Sequence, residues 1–418
     1  VWICKLSSNW LLSQSSNFWY ADAANLFNGV PTPSPEPAME NQSGPLSIHR
    51  LLAGMKKLDA SDLHIKVGIP PTFRIGGLLR IMNAEPIGEE EADHLMDPVV
   101  PPSLRERFEK TGNIDFATHL KDGDRFRVNM FRAGGHTHVA IRRVKAEIPN
   151  YNDLRLPQVY GEVTEKTGEG LVLVVGVTGS GKSSTLAAMI DHINHLRSDH
   201  IITVEDPVEY RFIPKKSIIS QREIGIDVDS YATAMRYIVR EDPDVIFIGE
   251  LRDHDTVLAA VQAAETGHLV FATLHTADTM QTFSRIIEFF PAHEHGFLRH
   301  ALSNTLKAVF AQRLLPALPE TGFGVVPACE VLLGTATVRD KIREGEDDAL
   351  PAIVGRNEEG MQSFTYALAE LVKKEWVSLQ TALEFAPNRD ALQSTLRGVE
   401  VKAQGLVNRI RSAGGKTG

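Results

Sequence analysis

The sequence predicts an α/β nucleotide-binding domain preceded by a smaller α+β domain. Three patterns carry that expectation. A glycine-rich phosphate loop lies between a strand and a helix, apolar β-branched runs alternate with helices around it, and short strands parted by glycine turns come before it. At 418 residues the chain has room for about two to three domains.

Residues 1–38 are rich in Ser, Asn and aromatics and include Pro31-Thr32-Pro33-Ser34-Pro35-Glu36-Pro37, which is not core composition, so 1–44 reads as an extension. A disordered extension, or a mis-assigned start with Met39 as a natural beginning, is expected. An ordered arm and a targeting segment are the alternatives, although a charged n-region and a clean apolar h-region are missing. Over residues 45–146 helical spacing from Leu46 to Lys57 gives way to a strand over Ala60–Val67. Short strands follow at Thr72–Ile75, Leu78–Ile81, Ile114–Phe116, Arg125–Met130 and His138–Ile141, with turns at Gly76-Gly77, Asp122-Gly123 and Gly134-Gly135. Glu89 to Lys110 reads as helical. Residues 147–160, with Pro and Asn, read as a linker.

The domain over 161–394 has apolar runs at Leu171–Val175, Ile201–Val204, Val245–Ile248 and Leu269–Thr273, as a parallel sheet buried on both faces requires. From about Val338 the pattern is helical, and 395–418 forms a tail. The net charge of -9 disfavours a protein that mainly grips nucleic acid. Cys4 and Cys329 lack a CxxC spacing, so neither a disulfide framework nor a zinc site is supported and the cytosol is the expected compartment. Without an apolar run of about eighteen residues, membrane association is expected to be peripheral.

The strand Leu171–Val175 runs straight into Gly176, Val177, Thr178, Gly179, Ser180, Gly181, Lys182 and Ser183, followed by Ser184 and a helix. Glycines let backbone N–H groups turn inward around phosphate oxygens, and the helix N-terminus adds positive potential. Lys182 is expected to reach the β/γ-phosphates of ATP, and Ser183 to bind Mg²⁺. Glu250 leaves the end of Val245–Ile248 in a Walker B position and is expected to hold Mg²⁺ through water. Glu205 ends Ile201–Val204 and is the general-base candidate, with Asp206 and Glu209 as helper acids or surface turn residues. His268 and His275 frame the last core strand and are candidate γ-phosphate sensors.

With these motifs placed, the sequence resembles the secretion/type IV pilus ATPase superfamily, and within it the pilus retraction ATPases of the PilT type. The resemblance runs from about Leu46 to about Leu396. It rests on Ala60-Ser61-Asp62-Leu63-His64, Arg125-Phe126-Arg127-Val128-Asn129, the phosphate loop, Val204 to Tyr210, Arg240-Glu241-Asp242-Pro243-Asp244 leading to Gly249-Glu250-Leu251-Arg252-Asp253, and Gly267 to Thr276. It implies a PAS-like N-terminal domain, a RecA-like P-loop ATPase domain and a ring of six subunits. It also implies phosphate-reaching arginines, which fall at Arg127 and Arg142, with Arg143 as the register alternative.

Retraction of type IV pili, as in twitching motility, is the implied function. The implied partner is an inner-membrane pilus platform protein that holds the ring at the cytoplasmic face of that membrane. The tetracysteine insert of assembly-type relatives is missing. Thr337-Val338-Arg339-Asp340-Lys341-Ile342-Arg343-Glu344 resembles the retraction family's Ala-Ile-Arg-Asn-Leu-Ile-Arg-Glu helix with changes at four places, and Ser184 replaces the usual Thr. An assembly, secretion or competence ATPase and an accessory ring subunit with little hydrolysis of its own are the alternatives.

Overall fold

The computed structural model describes residues 46–75, 78–120, 124–144 and 147–398. The expected extension, the turns at Gly76-Gly77 and Asp122-Gly123, and most of the expected tail lie outside the described residues. Among the described residues no helix is long and apolar enough to cross a membrane.

Helix α1 (Ile48–Lys57) buries Ile48, Leu51, Leu52 and Met55, one apolar stripe at helical spacing. The Ser47 side chain caps it by accepting from the Arg50 amide. Strands β1 (Asp62–Ile65), β2 (Thr72–Ile75), β3 (Leu78–Ile81), β4 (Asn113–His119), β5 (Arg125–Ala133) and β6 (His136–Val144) form a six-stranded antiparallel sheet in the order β3-β2-β1-β6-β5-β4. In β5, Phe126, Val128 and Met130 are buried while Arg125, Arg127 and Asn129 point to the other face.

The stretch expected to be helical over Glu89–Lys110 holds two helices, α2 (Glu89–Met96) and α3 (Pro102–Thr111). Pro98, Pro101 and Pro102 fall between or at the start of these helices, where each lacks an amide to donate. Pro102 takes the first position of α3, the one place in a helix that suits it. Residues 147–158 carry neither helix nor strand.

Helix α4 (Val159–Lys166) leads into a seven-stranded sheet of β7 (Gly170–Val175), β8 (His200–Glu205), β9 (Ile218–Glu223), β10 (Val245–Ile248), β11 (Leu269–Leu274), β12 (Leu306–Pro316) and β13 (Val325–Leu333). The order is β13-β12-β7-β11-β10-β8-β9, parallel except for the antiparallel β12–β13 pair. Helices α5 (Lys182–Leu196), α6 (Tyr231–Ile238), α7 (His254–Glu265), α8 (Thr279–Glu288) and α9 (His295–Thr305) connect these strands. Helices α10 (Ala336–Glu344), α11 (Leu350–Val354), α12 (Phe364–Lys373) and α13 (Leu379–Phe385) come after the sheet. Both faces of β7 are covered: Leu171, Leu173 and Val175 join one buried cluster, and Val172 and Val174 the other. This is why the strand is apolar throughout rather than alternating.

Strands β9, β12 and β13 add to the four read from the sequence. Phe310 of β12 is fully buried and stacks on Tyr160 of α4 with ring centroids 3.9 Å apart. Replacing Phe310 with Ala is expected to cost about 3–5 kcal/mol in denaturant-induced unfolding, because the ring leaves a cavity that packed neighbours cannot close.

Candidate functional site

The parallel strands β7, β11, β10 and β8 are adjacent in the sheet and end at one edge. Gly176 comes directly after β7, Glu205 ends β8, Glu250 lies just beyond β10 and His275 just beyond β11. Four separate stretches of sequence thereby converge. A cavity of about 240 Å³ is lined by Thr178, Gly179, Lys182, Ser183, Glu205, Asp206, Glu209, Tyr210, Glu250, Arg252 and His275 among others.

The phosphate loop is shaped by Gly176, whose φ is 152°. A β-carbon there would lie 2.3 Å from Ser180 Oγ and 2.6 Å from the Gln312 carbonyl oxygen, so this turn admits glycine only. Helix α5 begins at Lys182 with Gly181 before it in a left-handed conformation. The Lys182 ammonium donates to the carbonyls of Gly176 at 2.7 Å and Val177 at 3.1 Å. Burial draws its pKa down, while Glu250 and Glu209 oppose that shift. The buried Ser180 hydroxyl has no hydrogen-bond partner among the described residues. Ser184 lies on α5 with its hydroxyl 2.6 Å from the Tyr210 hydroxyl.

Glu205 is 5% exposed. Its Oε1 accepts from Thr203 Oγ1 at 2.6 Å and Gln221 Nε2 at 3.2 Å, and its Oε2 from the Glu209 amide at 3.4 Å. Burial pushes its carboxyl up to about 7 against the pull of these hydrogen bonds. Glu250 Oε2 accepts from Arg252 Nε at 2.6 Å, and Arg252 also donates to Asp206 at 2.9 Å. His275 links two motifs, with Nε2 3.4 Å from Glu250 Oε1 and Nδ1 3.5 Å from Thr178 Oγ1. Burial and the Lys182 charge lower the His275 pKa, favouring neutral imidazole, while Glu250 opposes them.

His268 is not part of this cluster. It precedes β11 at the opposite edge of the sheet, where its carbonyl accepts from the Gly170 amide and its ring Nδ1 lies 2.9 Å from the Ala263 carbonyl. A strand rises roughly 3.3 Å per residue, so about 20 Å separates it from His275. Symmetry about a strand in sequence places two residues at opposite ends of it in space.

Arg127 and Arg142 are direct cross-strand partners on β5 and β6. Asp62 of β1 lies opposite Arg142 on its other side and accepts from Arg142 Nε at 2.9 Å, which offsets the like-charge pairing. Burial acts against the Asp62 charge, but Arg142, Ser61 and Arg74 outweigh it and hold the carboxyl below its ordinary range. Both arginines line a second cavity of about 660 Å³ rather than the one around the phosphate loop. The two cavities share Glu209 and Tyr210 as lining residues. Arg143 also lines the second cavity, but its side chain is largely buried in ion pairs with Asp124 at 2.7 Å and Asp59 at 3.0 Å.

The site residues that sequence reasoning missed are Arg252, Tyr210, Thr203 and Gln221. Arg252 had a signal, a cation two residues after Glu250 in the same turn. Gln221 had none, because it arrives from β9, beside β8 in the sheet.

The model of the family described as Type II/IV secretion system protein matches residues 47–340. The chain belongs to this family. It is 38% identical over 342 residues to the Type IV pilus retractation ATPase PilT of Pseudomonas aeruginosa, covering 82% of this chain and 98% of that protein. It is 37% identical over 353 residues to the Type IV pilus ATPase PilU of the same organism, covering 84% of this chain and 92% of that one. The crystal structure of the pilus retraction motor PilT with bound ADP superposes with a TM-score of 0.78 at 40% identity, covering 84% of this chain and all of that one. The protein is a PilT-type ATPase, with a RecA-like domain after a smaller PAS-like α+β domain.

Substituting Gly176 with Ala is expected to weaken binding of a fluorescent ATP analogue by about tenfold or more while the circular dichroism spectrum is unchanged. The added methyl group would push Ser180 and the loop out of the cradle.

Proposed function

We propose that the protein is a hexameric ATP-hydrolysing motor that drives type IV pilus retraction through a platform protein in the inner membrane. In this reading the ring sits at the cytoplasmic face, held to the membrane by that partner. The observation that carries the chemistry is Glu205, a buried carboxylate raised to about 7 at the strand end facing the phosphate loop. A base with that affinity takes a proton from water near neutral pH and gives it up again.

ATP would lay its phosphates in the loop Gly176–Ser183, with backbone amides and Lys182 taking up their charge. The residues suit a magnesium ion as well. Ser183 and Glu250 both line the cavity. Magnesium retains several waters and rests partly on phosphate oxygens, so Ser183 and a water-bridged Glu250 would suffice to hold it. When bound it would neutralise charge on the β- and γ-phosphate oxygens.

Glu205 orients water toward the γ-phosphate and receives its proton. His275, bridging Thr178 and Glu250, reports on the state of that phosphate. Arg127 and Arg142 complete the site when the N-terminal domain closes and the cavity they line joins the phosphate-loop cavity, with which it shares Glu209 and Tyr210. Arginines that meet transition-state charge in this way are worth roughly 10³–10⁵ in rate. Closure and release at successive subunits of the ring would turn the platform partner.

Similarity across 98% of PilT supports retraction. A second reading, an accessory motor beside a principal one, is favoured by nearly equal identity to PilU. Deleting the gene separates the readings. Retraction predicts cells with excess pili and no twitching, an assembly motor predicts bald cells, and an accessory motor predicts piliated cells with weakened retraction.

Lys182→Ala is expected to abolish ATP hydrolysis in the purified protein; measured across size-separated fractions, wild-type activity should follow the hexamer. Glu205→Gln is expected to keep ATP binding and lose turnover by about 10²–10⁴-fold. Because the base works only when deprotonated, wild-type kcat should fall as pH drops through about 7. A rate constant between pH 6 and 8 would remove Glu205 from the role.

A further inference from the structure

Gln221 lies on β9, the edge strand of the large sheet, in register with Thr203 of β8, so its carboxamide reaches the same strand end as Glu205. The side chain makes three hydrogen bonds. Nε2 donates to Glu205 Oε1 at 3.2 Å and to the Tyr210 carbonyl at 2.8 Å, and Oε1 accepts from the Phe212 amide at 2.9 Å. These partners fix the orientation of the amide: a carboxylate and a carbonyl both need its NH₂, and an N–H needs its oxygen.

The two oxygens of Glu205 are thereby made unequal. Oε1 is held from both sides, by Thr203 and Gln221, whereas among the described residues Oε2 has only the long contact from the Glu209 amide. One oxygen is anchored and the other keeps lone pairs for a further donor. The same amide ties down the segment from Tyr210 to Phe212, and Tyr210 touches Ser184 of the phosphate-loop helix at 2.6 Å. A single side chain thus sets the base and the loop beside it against the phosphate cradle.

We propose that Gln221 is a positioning residue for hydrolysis, holding Glu205 by one oxygen so that the other presents to the attacking water. This rests on the reading of Glu205 as general base. The other charged groups around Glu205 are Asp206 and Glu209 on its own loop, Lys182 on α5, and Glu250 and Arg252 after β10, with Tyr231 of α6 and His275 after β11 as titratable neighbours. Glu223 pairs in register with Glu205 on β9 and is bound by Arg125.

The test compares Gln221→Leu, Gln221→Glu and Glu205→Gln in steady-state ATP hydrolysis by the full-length protein, with folding followed by circular dichroism. Gln221→Leu is expected to lower kcat about 10- to 100-fold with KM for ATP changed less than about threefold. Its acid limb of kcat against pH should move upward, since a donor to the ionised carboxylate is gone. Gln221→Glu keeps the length and an acceptor for Phe212 but sets a like charge against Glu205, and should move the limb the same way. It decides the matter where the Leu variant does not fold.

A folded Gln221 variant with kcat within about twofold of wild type, or one with raised KM and an unmoved acid limb, overturns the proposal. Loss of fold in both variants overturns it too, assigning Gln221 to the sheet edge alone. If Glu205→Gln turns over normally, the base assignment fails and the positioning role falls with it. If Glu205→Gln is slow while the Gln221 variants are normal, only the positioning role fails.

Discussion

The common edge of the parallel strands is the constraint on which the site depends. Parallel pairing of β7, β11, β10 and β8 sends their carboxyl ends to one side of the sheet, so the loops that leave these strands meet there. The glycine loop, Glu250, His275 and Glu205 come from positions spread over about a hundred residues, yet they line a single cavity. The two buried clusters that cover the sheet hold this register, because a slip by one residue would exchange one face for the other.

The electrostatics arise from that geometry. Burial is the leading influence on Lys182, Glu205 and His275, and in each it disfavours the charged form. The neighbours then act in different directions. Hydrogen bonds favour the Glu205 carboxylate without cancelling its burial, and Glu250 supports the Lys182 ammonium. Glu250 is itself tied to Arg252, and Arg252 to Asp206, so the acids that meet at this edge are separated by a shared cation.

The N-terminal sheet enters through an ion pair and a row of side chains. Arg125 of β5 pairs with Glu223 of β9, whose carboxylate also accepts from the Val208 amide in the loop after Glu205. On the same strand Arg127 faces its partner Arg142 across the sheet, and Asp62 continues the row. The smaller sheet thus presents cations toward a cavity that shares Glu209 and Tyr210 with the phosphate-loop cavity, and is fastened to the strand that carries Gln221.

The phosphate loop and the acids at the strand ends were legible from the sequence alone. Glycine spacing before a helix, and a carboxylate directly after an apolar run, are local patterns whose meaning does not depend on distant residues. The helical character of Glu89 to Lys110 was legible too, but its break at Pro98, Pro101 and Pro102 came only with the structure. Strands β12 and β13 were not, since a continuous apolar run suits a buried strand or a buried helix equally. Only the tertiary structure decided that His275 joins the site while His268 lies at the far edge, that Arg143 turns into ion pairs while Arg142 pairs with Asp62 beside Arg127, and that Gln221 holds Glu205. Each of these depends on which end of a strand a residue occupies and which strand lies beside it, and sheet register is settled by packing between segments far apart in the chain.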